Sequence, residues 1–514
     1  MLVHTQTKSL VLKLNNPARV TSVIPTAKPF TYEGQEFIRV PLKVDEMVVL
    51  RNLGFKAPSP IKYLYPFAGK YTPFRAQRET AEFLTLNRRA FVLNDLGTGK
   101  TVAALWAYHF LKQAGLANKL LVVCPLSTME RTWADEVFNN FMDMTALTLH
   151  GDKDRRLKRL ASEADIYILN HHGVEVIEEA LKARPDIDCV IIDEIATFRN
   201  PRTKLWKALN RVIQGRHWVW GMTGTPTPNA PTDAWGQCRL LCPERVPRTF
   251  AAFRDLVMRQ TSLYNWMIRP DATDSVAAMM QPSIRWRRED CIDLPPALYL
   301  TREVEMTPEQ KHAYKTMVKS MAIEYEGKTV LAVNEAAKVT KLMQVACGAV
   351  YDGQGDVVQL PNRPRVDVVR EIIEEAAGKV IVFVPFKSVV RIVAAELAKD
   401  YPVEIIHGDV GKSARDRIFS AFQRPGGVRV LVAQPDAMAH GLTLTEANTI
   451  VWYSAVNNQE TYSQANGRVS RAGQKRTQFI VHIEGSAIER KVYERLKKKQ
   501  RMQGALLEAI REGM

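Results

Sequence analysis

Cysteine is scarce: six residues in 514, scattered along the chain. Only Cys238 and Cys242 stand close together, and no second ligand pair accompanies them. A zinc site is therefore not expected, and reduced thiols in a cytosol fit the pattern. No apolar run is long enough to span a bilayer, and no signal-peptide pattern opens the sequence, so a cytoplasmic protein is the expectation. Low-complexity segments and short-period repeats are missing, which excludes a repeat array. No second cluster of metal-binding carboxylates appears, and a nuclease has no support. Acidic residues are in deficit. Against 71 Lys and Arg there are 55 Asp and Glu, a formal charge of +16. That balance suits a polyanionic partner, nucleic acid first, although a merely basic soluble protein has the same composition. Hydrophobic residues make up 46%, and the length allows two or three domains with sizeable cores.

What is present centres on Asn94, Asp95, Leu96, Gly97, Thr98, Gly99, Lys100 and Thr101. An apolar run over 90–93 leads in, and an alanine-rich apolar run over 102–111 leads out. That is strand, glycine turn, helix. The glycines allow a tight backbone whose N–H groups point at one centre, and the helix adds its positive end. Lys100 would reach the terminal phosphates of a nucleotide, and Thr101 would offer its hydroxyl to a magnesium ion. The longer P-loop pattern has glycine where this chain has Asn94, so the motif alone also fits an ordinary glycine turn.

Around this stretch the chain divides. Residues 1–60 read as a small α+β unit: strands at 10–14 and 37–40, a turn at Glu33-Gly34, a helix over 44–53 stopped by Gly54, and a linker marked by Pro58 and Pro60. From residue 61 to 230, continuous apolar runs at 119–125, 166–169, 189–192 and 218–220 alternate with helix-like sequence. Such runs suit strands buried on both faces of a parallel sheet. Residues 231–365 are helix-rich and punctuated by prolines. The strand rhythm resumes over 366–485, with runs at 379–385, 403–407, 428–433, 449–453 and 478–483, and residues 486–514 read as a closing helix. The expected fold is α/β: two tandem doubly wound parallel-sheet lobes, a helical insertion between them, and the small N-terminal unit. On the closing helix, Lys497, Lys498 and Lys499 fit a solvated basic face better than a nucleic-acid contact.

Polar residues follow the strand runs: Ser127 and Thr128, Asn170 and His171, Asp193 and Glu194, Thr223 to Thr225. Ligands bind outside the carboxyl ends of such strands. Asp193 could hold magnesium, and Glu194 could accept a proton from the water attacking a γ-phosphate; a strand-end acidic pair at a turn is the plain alternative. In the second lobe, Gln464 to Gln474 carries Arg468 and Arg471, three apart. On a helix they would share a face and could meet a phosphate whose charge builds in the transition state; a surface helix with solvated arginines is the alternative. ATP would then lie between the lobes, and backbone contacts to nucleic acid would dominate over base readout.

These residues resemble the superfamily two helicases, and within them the Swi/Snf-type ATPases that translocate on double-stranded DNA. The resemblance runs from about Tyr71 to about Gln503. Pro73 to Gln77 resembles the adenine-recognising segment, with Gln77 its key residue; 94–101 is similar to motif I, and 124–127 with Trp133 and Glu136 to motif Ia. Asp193 to Ala196 resembles motif II, Thr223 to Pro226 motif III, and Gln464 to Gln474 motif VI. Between the motifs, Asp233-Ala234-Trp235 with 241–243, Arg287 to Asp290 with Leu294-Pro295, 306–310, and Ile488-Glu489 resemble stretches that strand-separating helicases usually lack. The resemblance implies RecA-like lobes, ATP and Mg2+ as cofactors, and duplex or branched DNA as partner. It carries catalytic roles to Lys100, Asp193, Glu194, Gln464, Arg468 and Arg471. It makes Ser127, Thr128, Asn170, Thr223, Thr225, His440 and Thr443 candidates for DNA contact. Three departures stand out. Asn94-Asp95-Leu96 replaces the usual Asp-Glu-Met. Ala196 stands where the family usually has His or Gln, which puts the coupling of motif II to motif III in doubt. Motif V, 433–444, lacks the usual glycine pair near 438–440. The compact chain, without bromodomain-like or chromodomain-like extensions, resembles bacterial and phage forms. A strand-separating or branch-migrating helicase, and a nucleic-acid-binding module that uses ATP as a switch, are the competing expectations.

Overall fold

The computed structural model describes residues 1–263, 265–291, 295, 297–320, 322–325, 328–331, 335–352, 356–438, 444–471 and 473–512. The chain forms two compact units: residues 1–291 with 504–514, and residues 292–503.

The first unit opens with a four-stranded antiparallel sheet in the order Leu2–His4, Ser9–Leu12, Gln35–Pro41, Lys28–Tyr32. The turn at Glu33-Gly34 has positive φ at both residues, +48° and +74°, the backbone that a tight two-residue hairpin requires. The helix Val44–Asn52 follows, and Gly54 takes φ +90° just beyond it. Leu10, Val40, Met47 and Leu50 belong to the same apolar cluster as Leu84, Trp106 and Phe141. The N-terminal residues thus share a continuous core with the α/β part of this unit.

That α/β part is a seven-stranded sheet in the order Ser283–Ile284, Arg89–Val92, Trp218–Met222, Ile187–Asp193, Lys119–Cys124, Ile166–Asn170, Ala146–Leu149. All neighbouring pairs are parallel. Every residue of Ile166–Asn170 and of Trp218–Met222 is buried, because helices cover both faces of a parallel sheet and leave no polar side. The edge strand Ala146–Leu149 is mostly half-buried, and the sequence reading named no strand there; an edge lacks the continuous apolar signal.

The second unit carries a six-stranded parallel sheet in the order Ala297–Glu303, Gln478–Glu484, Ala447–Trp452, Lys379–Phe383, Val430–Ala433, Val403–Ile406. Two doubly wound parallel lobes are therefore the architecture, as the apolar runs predicted. The strand Ala297–Glu303 lies at the sheet's end and is largely exposed, which again hides it from a burial pattern. Between residues 231 and 280 the first unit carries short helices, Ala234–Leu241, Phe250–Val257 and Ala272–Met279, and one small hairpin, Met258–Gln260 with Trp266–Ile268.

One buried ion pair ties the start of the closing helix, Ala487–Glu512, into the second unit. Arg365 donates both terminal nitrogens to Glu489, at 2.8 and 2.9 Å. Ser454 Oγ, Ser486 Oγ and the Gly485 amide satisfy the remaining carboxylate positions. The side chains are 3% and 0% exposed. Removing one partner would strand the other charge in the interior, whereas replacing both by apolar residues of similar volume would not. Glu489→Ala is expected to cost about 3–5 kcal/mol, read by urea unfolding of this unit through Trp452 fluorescence, and the double change Arg365→Met, Glu489→Leu is expected to cost less than the single one. Equal losses in the two variants would show that the pair is not what holds the helix.

Candidate nucleotide-binding site

The loop 94–101 leaves the strand Arg89–Val92 and enters the helix Lys100–Gln113. Gly97 and Gly99 take φ of +85° and +77°, the left-handed region where a side chain is strained. A Cβ on Gly99 would also meet Gln77 Nε2 at 2.1 Å. Both reasons make glycine necessary at 99, and both place Gln77 against the loop. Gln77 is itself fixed: its Oε1 accepts the Phe74 amide at 2.8 Å, and its Nε2 lies 3.4 Å from Tyr71 Oη. Asn94 is held by Nδ2 donating to Thr80 Oγ1 at 2.9 Å, and Thr98 Oγ1 donates to the Asp95 carbonyl at 2.8 Å.

Lys100 is folded onto its own loop. Its ammonium donates to the carbonyls of Asn94 and Asp95, at 2.9 and 3.0 Å. Burial pushes its pKa below the ordinary value, while Glu194, Asp193 and Asp95 oppose that shift. Asp193 ends the strand Ile187–Asp193. Burial raises its carboxyl; the Trp133 indole, Lys100 and the Glu194 amide pull the other way. Trp133 Nε1 donates to Asp193 Oδ2 at 3.1 Å. Glu194 has φ +52°, a costly conformation outside glycine, and it turns the two adjacent carboxylates out of strand geometry. Thr223 Oγ1 donates to Glu194 Oε2 at 3.2 Å, and the Thr225 amide donates to Thr223 Oγ1 at 3.1 Å. A Cβ on Gly224 would lie 3.4 Å from the Asn94 carbonyl, so the turn 223–225 passes beside the loop. His171 Nε2 donates to the Asp193 carbonyl at 2.8 Å. Burial lowers its pKa to about 4, so the ring is neutral at pH 7.

The structure thus brings Gln77, 94–101, Asp193, Glu194 and Thr223 together at the carboxyl ends of neighbouring strands. It adds residues that the motifs did not single out for this site: Thr80 behind Asn94, and the Trp133 indole behind Asp193. Trp133 stands in the stretch similar to motif Ia, but its bond to Asp193, 60 positions on, and that of Thr80 to Asn94 leave no pattern in the sequence. Ala196 is fully buried, and beside it Thr223 Oγ1 bonds Glu194 directly. Among the DNA-contact candidates, Ser127 is exposed. Thr128 Oγ1 donates to the Pro125 carbonyl at 2.9 Å, and Asn170 Oδ1 accepts Arg156 Nη1 at 2.8 Å. Thr223 and Thr225 are buried. His440 and Thr443 lie outside the described residues.

In the second unit, Gln464 is buried on the helix Gln459–Asn466 and donates to Glu460 Oε1 at 3.3 Å. One expectation needs correction. The helix ends at Asn466, with Gly467 as its cap, so helical spacing does not set Arg468 and Arg471 on one face. They stand in the turn beyond it. Arg468 is 3% exposed, and its carbonyl accepts the Leu444 amide at 3.0 Å. Arg471 Nε donates to the Gly467 carbonyl at 3.4 Å.

The donor chemistry fits a magnesium-bound nucleotide. Mg2+ keeps most of its waters and takes one or two protein oxygens beside the phosphates; Thr101 and the strand-end carboxylate Asp193 are such a pair. Among the described residues no group of three or more His, Cys, Asp and Glu gathers as a metal site, and no helix is long and apolar enough to cross a membrane.

The family described as SNF2-related domain matches residues 76–347, more than half of the chain, and that described as helicase conserved C-terminal domain matches 364–473. Protein p41 of Acyrthosiphon pisum secondary endosymbiont phage 1 is 26% identical over 468 residues, which cover 86% of this chain and 99% of that one. Chromodomain-helicase-DNA-binding protein 7 of Gallus gallus is 23% identical over 487 residues, covering 84% of this chain and 16% of that protein. The chain therefore spans less than a fifth of the length of this relative. A solved structure, the Sulfolobus solfataricus SWI2/SNF2 ATPase core in complex with dsDNA, is 22% identical, covers 85% of this chain and 93% of that one, and gives a TM-score of 0.42. By the extent of the family match, the chain belongs to the SNF2-related family and carries a helicase conserved C-terminal domain behind it.

Proposed function

We propose that this chain is an ATP-driven DNA translocase that acts on duplex or branched DNA in replication, repair or recombination, in the cytoplasm of a bacterium or of an infected host cell. The observation that carries the reading is the cluster of Lys100, Asp193 and Glu194 under a glycine loop, in a member of this family. Gln77 and residues 94–101 bind the nucleotide, and Thr101 and Asp193 hold Mg2+, which supplies charge neutralisation on the phosphates when bound. Lys100 leaves the carbonyls of Asn94 and Asp95 for the terminal phosphates. Glu194, oriented by Thr223, takes the proton of the attacking water. Arg468, Arg471 and Gln464 stabilise the charge that builds on the transferred phosphoryl group. Ser127, which is exposed, contacts DNA together with His440 and Thr443; the other candidates, Thr128, Asn170, Thr223 and Thr225, are buried. Functional boundaries fall at 1–60, 61–230, 231–365, 366–485 and 486–514: an accessory unit, the ATP-binding lobe, a link, the C-terminal lobe and a closing brace.

Steady-state ATP hydrolysis measured with duplex, forked, four-way and single-stranded DNA, and with RNA, tests the reading. Duplex or branched DNA is expected to stimulate most, and a preference for RNA would overturn the substrate assignment. Displacement of a strand from a tailed duplex would favour the strand-separating alternative, and absence of turnover with every nucleic acid would favour an ATP-switched binding module.

Two substitutions separate the roles. Lys100→Ala is expected to lower DNA-dependent phosphate release by about 100-fold or more, and unchanged release in that variant would refute the site. Glu194→Gln is expected to reduce kcat by about 100-fold or more while nucleotide binding, followed by a fluorescent analogue, persists; loss of binding instead would make Glu194 a structural residue.

A further inference from the structure

The stretch after the short strand Ser283–Ile284 runs beside the nucleotide loop and is bonded to it in both directions. The Phe91, Leu93 and Asp95 amides donate to the carbonyls of Pro282, Ile284 and Trp286, at 3.0, 2.9 and 3.0 Å. In return the Trp286 amide donates to Asn94 Oδ1 at 2.9 Å, and the Arg288 amide to Asp95 Oδ2 at 3.0 Å. Arg285 completes the contact. Its Nη2 stands 2.8 Å from Asp95 Oδ1, and its Nη1 donates to the carbonyls of Leu93 and Trp286 at 3.0 and 2.8 Å. The Arg285 side chain is 5% exposed. A guanidinium so buried has to stay paired, and the carboxylate paired with it is on the loop itself. Next along the chain, Arg287 Nε donates to Glu508 Oε1 at 2.6 Å, so the same stretch also grips the last turns of the closing helix.

Two loop residues therefore serve both sides. The carbonyls of Asn94 and Asp95 receive the Lys100 ammonium; their side chains hold the amides of Trp286 and Arg288 and the guanidinium of Arg285. A movement of Lys100 from those carbonyls to a phosphate removes two bonds from the pair that anchors 285–288. Short loops respond to such a loss because few other bonds fix them.

We propose that Arg285 is a positioning residue of the nucleotide site, clamping Asp95 so that the loop and the stretch 285–291 respond to nucleotide as one element. This rests on the reading of 94–101 as the ATP loop. It gives the Asn94-Asp95 departure a use, since these two side chains are the ones that reach across.

Hydrogen exchange of the whole protein, with and without a magnesium complex of a non-hydrolysable ATP analogue, tests the idea. Protection of residues 97–101 together with exchange at 286–288 faster by about threefold or more supports it. Protection of 97–101 with 286–288 unchanged or slower overturns the clamp and leaves the ATP reading standing. No protection at 97–101 overturns both. As a second arm, Arg285→Gln is expected to raise the KM for ATP about tenfold, with a smaller loss in kcat, and Arg285→Lys to recover part of that KM. A fall in kcat at unchanged KM, or no difference between the two variants, would mark Arg285 as a packing residue only.

Discussion

An ammonium group placed among carbonyls and carboxylates is the constraint that organises the first unit. Lys100 cannot be left without partners where it stands, and Asp193 and Glu194 cannot both stay charged nearby without a cation. In the structure the loop's own carbonyls partner the ammonium, and the ammonium is the cation beside the two carboxylates. The arrangement is held from outside: Thr80 orients Asn94, the Trp133 indole orients Asp193, Thr223 orients Glu194, and Gln77 leans on Gly99. Gln77 and Thr80 share the helix Arg75–Leu86, while Trp133 and Thr223 come from two other segments, and the parallel sheet is what collects them, because its strands all end at one edge.

On the nucleotide-binding reading proposed above, the site must be able to exchange partners. Lys100 is bonded to two backbone carbonyls rather than sealed in a carboxylate pair, so a phosphate can compete for it at modest cost. The strained backbone of Glu194 works in the same direction: it holds the carboxylate away from its strand, where Thr223 Oγ1 donates to it. By contrast, the Arg365–Glu489 pair in the second unit is saturated with hydrogen bonds and fully enclosed, which suits a fastening that stays closed. The two buried charge groups thus differ in what surrounds them, and that difference separates a working site from a structural one.

Most of the fold was legible in the chain because parallel strands buried on both faces leave continuous apolar runs. Those at 119–125, 166–169, 189–192 and 218–220, and their five counterparts in the second unit, all proved to be strands. The edge strands Ala146–Leu149, Ser283–Ile284 and Ala297–Glu303 escaped, while the edge strand Val403–Ile406 was found by its apolar run. The glycine loop and the acidic pair were legible for a different reason: local backbone needs, positive φ at Gly97 and Gly99, restrict the residue type. The arginine turn shows the limit of local reading. A three-residue spacing suggests one helix face, yet Gly467 ends the helix first, and Arg468 and Arg471 take positions that only the folded turn defines.

By itself, then, the sequence determined two parallel-sheet units, a glycine turn at 94–101 between a strand and a helix, an acidic pair at the end of another strand, and a basic net charge. Each of these is written in periodicity or in residue types that backbone geometry demands. Tertiary structure alone decided what stands behind them: Thr80 under Asn94, the Trp133 indole on Asp193, Thr223 on Glu194 and Arg285 on Asp95. These partners are up to 190 positions apart, and a hydrogen bond between distant residues leaves no pattern in either stretch of sequence.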